Sequence, residues 1–242
     1  MIGIFGFGRF GQLMTRYLAR DFEVFVYDRR GRSEDIRKLG AIPGSIPEVC
    51  RQDIVTIPVP ISTLRDVLKE VVPHLKKTTI VVDVCSVKEY PVQWMKEILP
   101  EHISILATHP MFGPDSAAES LAGCKIVLCP ERIDGGKFNK IRTYLSAKGL
   151  EVIETSPGEH DQQIAVSLAL THFIGRSLSE FGAEEKAIDT EGYKRLLHIL
   201  GVVQNDTWQL FEDMNRYNPY AGEKRTAFID AMRTVERRLG DN

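Results

Sequence analysis

A glycine-rich run close to the N-terminus has the spacing of a phosphate-binding turn. The run reads Gly6, Phe7, Gly8, Arg9, Phe10 and Gly11. It joins the apolar residues 2–5, a predicted strand, to the amphipathic residues 8–20, a predicted helix. In that context the first glycine permits a tight turn, the second lets the backbone approach a pyrophosphate, and the third allows the helix to pack closely on the strand. The run therefore predicts a dinucleotide site for NAD or NADP at a helix N-terminus, the alternative being glycines that only form a turn.

The end of the next predicted strand bears on which dinucleotide binds. Asp28 closes that strand, where a carboxylate can accept hydrogen bonds from the adenosine ribose hydroxyls, and this favours NAD. Arg29, Arg30 and Arg32 follow, and an arginine at this point can hold the 2'-phosphate of NADP. We expect Asp28 and Arg29 to belong to the cofactor site, with NAD favoured and NADP left open.

Two later strands end in side chains that could take part in proton transfer. Ser86 and Lys88 follow the predicted strand 79–82, and His109 follows the predicted strand 103–107. Parallel sheets of this class bind ligands at the carboxyl ends of their strands. A histidine there can accept a hydroxyl proton while hydride leaves the same carbon, with a serine to orient it, as in a dehydrogenase. The alternative for His109 is a strand-end histidine that hydrogen-bonds the backbone.

The composition argues against several other classes of protein. The 242 residues include 31 basic and 33 acidic side chains, for a net charge of -2, and 43% are hydrophobic. These values are typical of a globular protein and give no electrostatic reason to expect a nucleic-acid or membrane partner, so we expect a small molecule. The four cysteines lack the spacing of a zinc site or a disulfide framework, which predicts no metal. We see no export signal before the first strand and expect a cytoplasmic protein.

Hydrophobic patterns divide the chain into two predicted domains. Residues 1–156 alternate β-branched runs with amphipathic stretches, as in a Rossmann-type, doubly wound α/β domain with a parallel sheet. Residues 157–242 show helical periodicity alone, and we expect an all-helical substrate and dimerisation domain. The predicted strands are residues 2–5, 23–27, 54–57, 79–82, 103–107, 125–129 and 151–154. The predicted helices are residues 8–20, 63–75, 90–99, 137–148, 159–181, 190–215 and 221–239.

The last predicted helix carries an apolar stripe that needs a cover. Its members are Phe228, Met232, Val235 and Leu239. A lone unit of three helices covers such stripes poorly, so we expect a homodimer that pairs the helical halves.

Four motifs behind the glycine run resemble the prephenate and arogenate dehydrogenases of tyrosine biosynthesis. They are Asp83-Val84-Cys85-Ser86-Val87-Lys88, His109-Pro110-Met111-Phe112-Gly113-Pro114, Glu159-His160-Asp161-Gln162 and Leu170-Thr171-His172-Phe173-Ile174-Gly175-Arg176. Their order and spacing match across nearly the whole chain. The resemblance implies a nucleotide domain followed by a helical dimerisation domain. It also implies an oxidative decarboxylation in which a cyclohexadienyl ring loses hydride from C4 and CO2 from C1. In that reaction His109 would take the C4 hydroxyl proton, and Ser86 would hydrogen-bond near the same hydroxyl.

The resemblance also assigns substrate-binding residues. His172 matches a family histidine at the substrate pocket, the alternative being a satisfied core histidine. Lys88 either anchors a substrate carboxylate or supports the fold. Many bacterial prephenate enzymes grip a ring carboxylate with an arginine where Val202 stands here. The basic residues that could replace that arginine are Arg176, Lys194 and Arg195.

One acidic residue could decide between the two substrates. Residues 192–198 and 204–208 look more like plant-type arogenate dehydrogenases, in which an Asp occupies the position of Asp206. A carboxylate there would pair with the ammonium of arogenate and repel the keto-acid end of prephenate, unless Asp206 is simply a solvated helix acid. We therefore expect conversion of L-arogenate to L-tyrosine. The alternative is a prephenate dehydrogenase, or an enzyme that accepts both substrates.

Two other functions are compatible with a dinucleotide-binding fold but fit the polar residues of this sequence less well. Imine and β-hydroxyacid dehydrogenases need a catalytic lysine motif on a helix that this chain lacks. A non-catalytic NAD-binding redox sensor has no chemical use for Ser86, His109 and His172 together. Residues 159–162 begin a predicted helix, where acids suit the helix N-terminus, so we expect them to cap and pack more than to bind substrate.

Overall fold

The apolar runs in the first part of the chain form one eight-stranded sheet. The computed structural model describes residues 1–240. Its strands are β1 (Ile2–Phe5), β2 (Val24–Tyr27), β3 (Ile42–Pro43), β4 (Ile54–Ile57), β5 (Ile80–Asp83), β6 (Ser104–Pro110), β7 (Lys125–Arg132) and β8 (Glu151–Glu154). They lie in the order β3-β2-β1-β4-β5-β6-β7-β8. Winding therefore changes direction between β1 and β4, which creates a ligand-binding switch point at the carboxyl end of β1.

The sheet is parallel except where β7 runs against β6. Every residue of β1 and of β5 is buried, which explains why residues 2–5 and 80–82 appear in the sequence as continuous apolar runs. The doubly wound α/β class is confirmed, but the reversal of β7 was not predicted. A parallel connection usually needs a crossover helix, and residues 111–124, which join β6 to β7, contain none.

Helices cover the sheet where the sequence has apolar residues at helical spacing. They are α1 (Arg9–Leu18), α2 (Ser33–Lys38), α3 (Ile46–Cys50), α4 (Ile61–Val71), α5 (Glu89–Ile98) and α6 (Gly135–Ala147), with a 3-10 turn at Val72–His74. In α4 the buried side chains are Ile61, Leu64, Val67, Leu68 and Val71, one stripe of an amphipathic helix. The sequence did not predict β3, α2 or α3, which are too short to show a clear period.

The chain beyond β8 is helical. Its elements are α7 (Pro157–Ile164), a π-helical segment (Ala165–Leu170), α8 (Thr171–Phe181), α9 (Glu191–Gln204), α10 (Trp208–Arg216) and α11 (Ala221–Gly240). Two of the three long predicted helices are thus divided. Residues 159–181 contain the π-helical segment, and residues 190–215 are interrupted at residues 205–207.

The chain separates into two compact units, Met1–Pro157 and Gly158–Asn242, called here the first and the second unit. The first unit holds the sheet with α1 to α6. The second holds α8 to α11 and most of α7. The predicted second domain ends at residue 242, and its last two positions lie outside the described residues. Within the described residues, no helix combines the length and apolar character needed to cross a bilayer.

Candidate active site

The glycine run forms a tight turn between β1 and α1. Gly6 has φ +124°, a backbone conformation that side chains rarely adopt. A Cβ on Gly11 would lie 2.2 Å from the carbonyl oxygen of Gly6, so α1 can approach the turn only with glycine there. Gly8 is the N-cap of α1 and faces open space, and the first turn of α1 carries no acidic residue. This cradle fits the pyrophosphate of a dinucleotide, because the N-terminus of α1 offers backbone N–H groups and a positive helix dipole, and no acid of its own first turn opposes an anion.

Asp28 lies at the end of β2 beside the glycine turn. Its carboxylate accepts hydrogen bonds from the backbone N–H of Phe7, at 3.3 Å, and of Arg30, at 2.9 Å. Arg32 also reaches the turn, with its guanidinium 5.2 Å from the centre of the Phe7 ring. Arg29 instead pairs with Glu70 of α4 at 2.5 Å. Arg32 therefore contacts the glycine turn. Arg29, the predicted cofactor ligand, is paired with Glu70 instead.

Residues 111–124, the connection from β6 to β7, are tied to α1 at several points. Arg9 pairs with Asp115 at 2.9 Å, and the rings of Phe10 and Phe112 lie 6.1 Å apart. Further along α1, Arg16 donates to the carbonyl of Ala118 at 2.5 Å. Two residues of the glycine motif thus hold the segment that follows His109. The sequence did not predict these contacts, because the partners are about a hundred residues apart and no periodicity links them.

Ser86 lies beyond the carboxyl end of β5. The sequence predicted that His109 also follows a strand, but it lies within β6, one residue before its end, because β6 continues alongside β7. Asp83, the last residue of β5, is in register with Ala107 of β6, so Ser86 and His109, which follow these two residues closely, lie at the same edge of the sheet. His109 is buried. The Ser86 hydroxyl is also buried, and it has no hydrogen-bond partner among the described residues. A buried hydroxyl without a partner is costly, which favours a ligand group as the missing partner.

Lys88 is fully buried and takes part in a network that joins the two chain segments carrying Ser86 and His109. Its ammonium donates to the Asp83 carboxylate and, at 2.5 Å, to the carbonyl oxygen of Thr108. Asp83 also accepts hydrogen bonds from the backbone N–H groups of Cys85, at 2.9 Å, and of Thr108, at 3.1 Å. Of the two roles left open for Lys88, these internal contacts favour support of the fold over direct contact with a substrate carboxylate.

The second unit brings together three of the predicted substrate residues. His172 is buried on α8, and its Nε2 atom lies 3.7 Å from the carboxylate of Asp206. Arg176, one turn further along α8, donates to the backbone carbonyl of Asp206 at 2.5 Å and lies 5.6 Å from the centre of the Trp208 ring. The sequence predicted that Asp206 lies within a helix, residues 190–215. In the structure it lies instead in the break between α9 and α10. The three residues form one polar cluster, named here the His172 cluster.

The His172 cluster has unsatisfied polar atoms and a perturbed imidazole. Nδ1 of His172 and Nε of Arg176 are buried without a hydrogen-bond partner in the part of the chain that the structure describes. Burial lowers the pKa of His172, and the positive charge of Arg176 adds to this, while the carboxylate of Asp206 acts in the opposite direction. The imidazole is therefore neutral at pH 7 and can accept or donate a hydrogen bond through Nδ1.

Other basic and acidic residues considered from the sequence lie outside this cluster. Lys194 is within 4 Å of Asp189 and Glu191, and Val202 is about half exposed. Lys194 is thus paired with acids of its own neighbourhood, whereas Arg176 contacts Asp206 directly.

Within residues 159–162, where the sequence predicted capping and packing, His160 and Asp161 form a buried pair. His160 Nδ1 lies 2.7 Å from the carboxylate of Asp161, and the backbone carbonyl of Asp161 accepts a hydrogen bond from Asn218 at 2.8 Å. These contacts join α7 to the turn before α11, as expected for a packing role.

Comparison with known proteins relates both units to dehydrogenases. Residues 14–154 match the family model "Prephenate dehydrogenase, nucleotide-binding domain", and residues 177–242 match "TYRAAT1-like, C-terminal domain". Arogenate dehydrogenase 2, chloroplastic, of Arabidopsis thaliana is 32% identical over 98% of this chain and 69% of its own length. A probable arogenate/prephenate dehydrogenase of Methanocaldococcus jannaschii is 30% identical over 93% of this chain, which spans 53% of that protein.

A solved structure shows the same fold at lower sequence identity. Prephenate dehydrogenase from A. aeolicus, in complex with hydroxyphenyl propionate and NAD+, superposes with a TM-score of 0.76 and 21% identity. The alignment covers 100% of this chain and 92% of that one. The family model begins at residue 14, beyond the glycine run, so the geometry of the turn is independent support for a nucleotide site.

Proposed function

This chain belongs to the prephenate and arogenate dehydrogenase family, and from that premise we propose that it converts L-arogenate to L-tyrosine by oxidative decarboxylation. The observation that carries the proposal is that two residues able to take part in proton transfer lie at the same edge of the sheet. His109 lies at the carboxyl end of β6, and Ser86, with a buried hydroxyl that lacks a partner among the described residues, follows the adjacent β5. That edge belongs to a sheet whose glycine turn fits a dinucleotide.

The first unit would hold NAD+ or NADP+ at the glycine turn. The cradle of residues 6–11 would bind the pyrophosphate, and Asp28 would accept hydrogen bonds from ribose hydroxyls. We favour NAD+ because this carboxylate closes β2, and the related A. aeolicus structure was solved with NAD+. NADP+ is the alternative, for which Arg32 is better placed than Arg29. When bound, the nicotinamide supplies a hydride acceptor.

Proton transfer would be the task of His109. As the hydride leaves C4 of the cyclohexadienyl ring, the imidazole takes the proton of the C4 hydroxyl, and Ser86 orients that hydroxyl through a hydrogen bond. The bond between C1 and the carboxylate then breaks, CO2 leaves, and its electron pair completes the aromatic ring. The phenol oxygen takes a proton back. Aromatisation drives the reaction, so the protein has chiefly to orient the ring and the hydroxyl.

Substrate recognition would fall to the His172 cluster of the second unit. Its carboxylate, Asp206, suits the ammonium of arogenate, and Arg176 suits a carboxylate of the substrate. The unpartnered Nδ1 of His172 offers one more hydrogen bond. The alternative is a prephenate dehydrogenase or an enzyme for both substrates, because the curated relatives carry both names.

A kinetic comparison tests the proposal. We would measure initial rates of nicotinamide reduction with arogenate or prephenate and with NAD+ or NADP+, and compare kcat/KM across the four combinations. We expect arogenate to be preferred about tenfold or more, as for a charge-paired group that its competitor lacks. A preference for prephenate would contradict the role of Asp206, and no rate with either substrate would contradict the proposed function itself.

We also propose that the protein works as a homodimer in a reducing compartment such as the cytoplasm. All four cysteines are free thiols, and burial raises the pKa of Cys50 to about 12, so this thiol is inert. The case for a homodimer comes from exposed apolar side chains on α11, whose test is given in the Discussion.

A further inference from the structure

We propose that the buried ion pair of Asp83 and Lys88 is a positioning device, which sets the placement of Ser86 and His109 for proton transfer. The roles of Ser86 and His109 rest on the proposed function, whereas the network itself is a feature of the fold. Lys88 is 0% exposed and Asp83 is 1% exposed, so a bound substrate would not reach either group.

Asp83 is the centre of the network because all of its acceptor groups are in use. One carboxylate oxygen accepts the backbone N–H of Thr108 at 3.1 Å. The other accepts the backbone N–H of Cys85, at 2.9 Å, and the ammonium of Lys88. The backbone carbonyl of Asp83 accepts the hydroxyl of Thr108 at 2.6 Å. One residue at the end of β5 thus fixes both the loop that carries Ser86 and the strand that carries His109.

Lys88 connects the network to the residue before His109. Its ammonium donates to the carbonyl oxygen of Thr108 at 2.5 Å, and that carbonyl belongs to the peptide bond that leads into His109. The N–H and the C=O of Thr108 are therefore both held by the ion pair. The loop 84–87 between the two partners carries Ser86, so its path is set at each end by the same charges.

A role in stability alone is a poor explanation for this arrangement. Removing two charges from water is expensive, and well-packed apolar groups of the same volume often stabilise a fold as well or better. What an apolar pair cannot do is fix the direction of backbone N–H and C=O groups. Displacement of a catalytic group by about 1 Å can lower turnover about a hundredfold, so this kind of fixation has a direct kinetic effect.

The test replaces the pair by neutral side chains of similar shape. In the double variant Asp83→Asn, Lys88→Met no buried charge is left alone, so the variant is expected to fold. The matched control is Thr79→Val, which removes a buried hydrogen bond, from Thr79 to the carbonyl of Gln52 at 2.9 Å, next to the opposite end of β5. For each protein we would measure the melting temperature, kcat, the KM for the nicotinamide cofactor, and the NMR signal of the His109 imidazole, assigned with His109→Asn.

We expect the double variant to lose about a hundredfold in kcat, with the KM for the cofactor within about threefold of wild type, and the His109 signal to move. Thr79→Val should lower the melting temperature yet leave kcat and the His109 signal unchanged. An unmoved His109 signal with unchanged kcat, or a loss of kcat that Thr79→Val shares, would overturn the proposal. If the wild type turned over neither substrate, the proposed function would fail, and the His109 signal would still decide whether the pair positions that side chain.

Discussion

The carboxylate of Asp206, which lies beside the buried imidazole of His172, has two effects. Through its charge it opposes the lowering of the His172 pKa by burial, and through its free oxygens it is available to a cationic ligand group. The side chain is one-third exposed, so its charge is partly screened by solvent. We therefore propose that Asp206 influences both the choice of substrate and the protonation of His172.

Substitution of this one carboxylate tests both effects. We expect Asp206→Asn to lower kcat/KM for arogenate by about tenfold, because a charge-assisted pair with the ammonium is lost, and to raise the relative use of prephenate. We also expect the midpoint of the His172 imidazole, measured by NMR titration, to fall further below the ordinary value of 6.5. The sign follows because the variant loses the carboxylate that raises this pKa, while desolvation and Arg176 still lower it.

Asp189→Asn is the matched control for that variant. Asp189 is another carboxylate of the second unit, and it pairs with Lys194 at 3.7 Å instead of with the His172 cluster. It should leave both the substrate ratio and the His172 midpoint unchanged. An unaltered substrate ratio in Asp206→Asn would remove Asp206 from the account of specificity.

The lowered pKa of His172 also makes the stability of the protein depend on pH. The native state resists protonation of His172, whereas the unfolded chain takes up a proton near pH 6.5. The unfolded state therefore binds more protons between the lowered native pKa and 6.5. The contribution of His172 to folding is complete above that range and declines as the pH falls through it.

At the scale of elements, the His172 cluster depends on the close crossing of α8 and α9. The crossing occurs at Gly175, where an added Cβ would lie 2.7 Å from a methyl group of Val203 and 3.2 Å from the backbone carbonyl of Ile199. Val203 is fully buried and β-branched, so it has little freedom to move away. Since His172 and Arg176 flank Gly175 on α8, the crossing also sets their distance from the break at residues 205–207.

Two glycines in these helices should respond oppositely to the same substitution. We expect Gly175→Ala to lower the free energy of unfolding by about 1 to 3 kcal/mol, because overpacking forces α8 and α9 apart. Gly201→Ala, in α9, should raise it by roughly 0.5 to 1 kcal/mol, since a Cβ there meets no atom within 4 Å and alanine is the better helix former. Urea unfolding of both variants measures the difference, and a stabilised Gly175→Ala would contradict the close crossing.

The elements show which features local sequence patterns can predict. The strands Ile2–Phe5, Ile54–Ile57 and Glu151–Glu154 agree with the predicted bounds, because short apolar runs between turns are a local signal. The reversal of β7 and the breaks in the helical half were not predicted. Apolar periodicity continues through the π-helical segment and across residues 205–207, and it carries no information on where hydrogen bonding changes.

The site shows the same division between local and distant features. The motif residues Ser86 and His109 were predicted, and the sheet places them at one edge. The contact of Arg9 with Asp115 was not predicted, since it depends on which distant segments meet. The ion pair of Asp83 with Lys88 joins residues close in the sequence, but it was not predicted either, because it depends on how the loop after β5 folds against Thr108 of β6. The pairing of Arg29 with Glu70 likewise depends on where α4 packs, which the sequence does not specify.

At the scale of the whole molecule, α11 presents apolar side chains that need a partner surface. Met232 and Val235 are each 57% exposed, and Leu239 is 75% exposed. Their spacing places them along one side of the helix. Exposed apolar stripes of this kind mark association surfaces, and a two-fold dimer is the commonest way for identical chains to cover them.

Light scattering at micromolar concentration tests the homodimer. We expect twice the 27.3 kDa mass of the chain for the wild type, and a lower mass for Met232→Glu because a charge would have to be buried. Arg237→Gln is the control, since it changes the net charge by the same amount on a polar part of α11, and it should stay dimeric. A monomeric wild type would remove the homodimer.

The central place of β1 in the sheet links cofactor binding to the order of synthesis. Ile2 pairs on one side with Val24 and on the other with Ile54. The glycine turn in addition rests against the backbone of Pro58, whose carbonyl oxygen would lie 2.9 Å from a Cβ on Gly6. The glycine run is synthesised before β4 and Pro58, which complete the surroundings of its turn. A growing chain therefore carries the dinucleotide motif for some time before it can bind a dinucleotide, and the cofactor stabilises the finished sheet without acting on its early precursors.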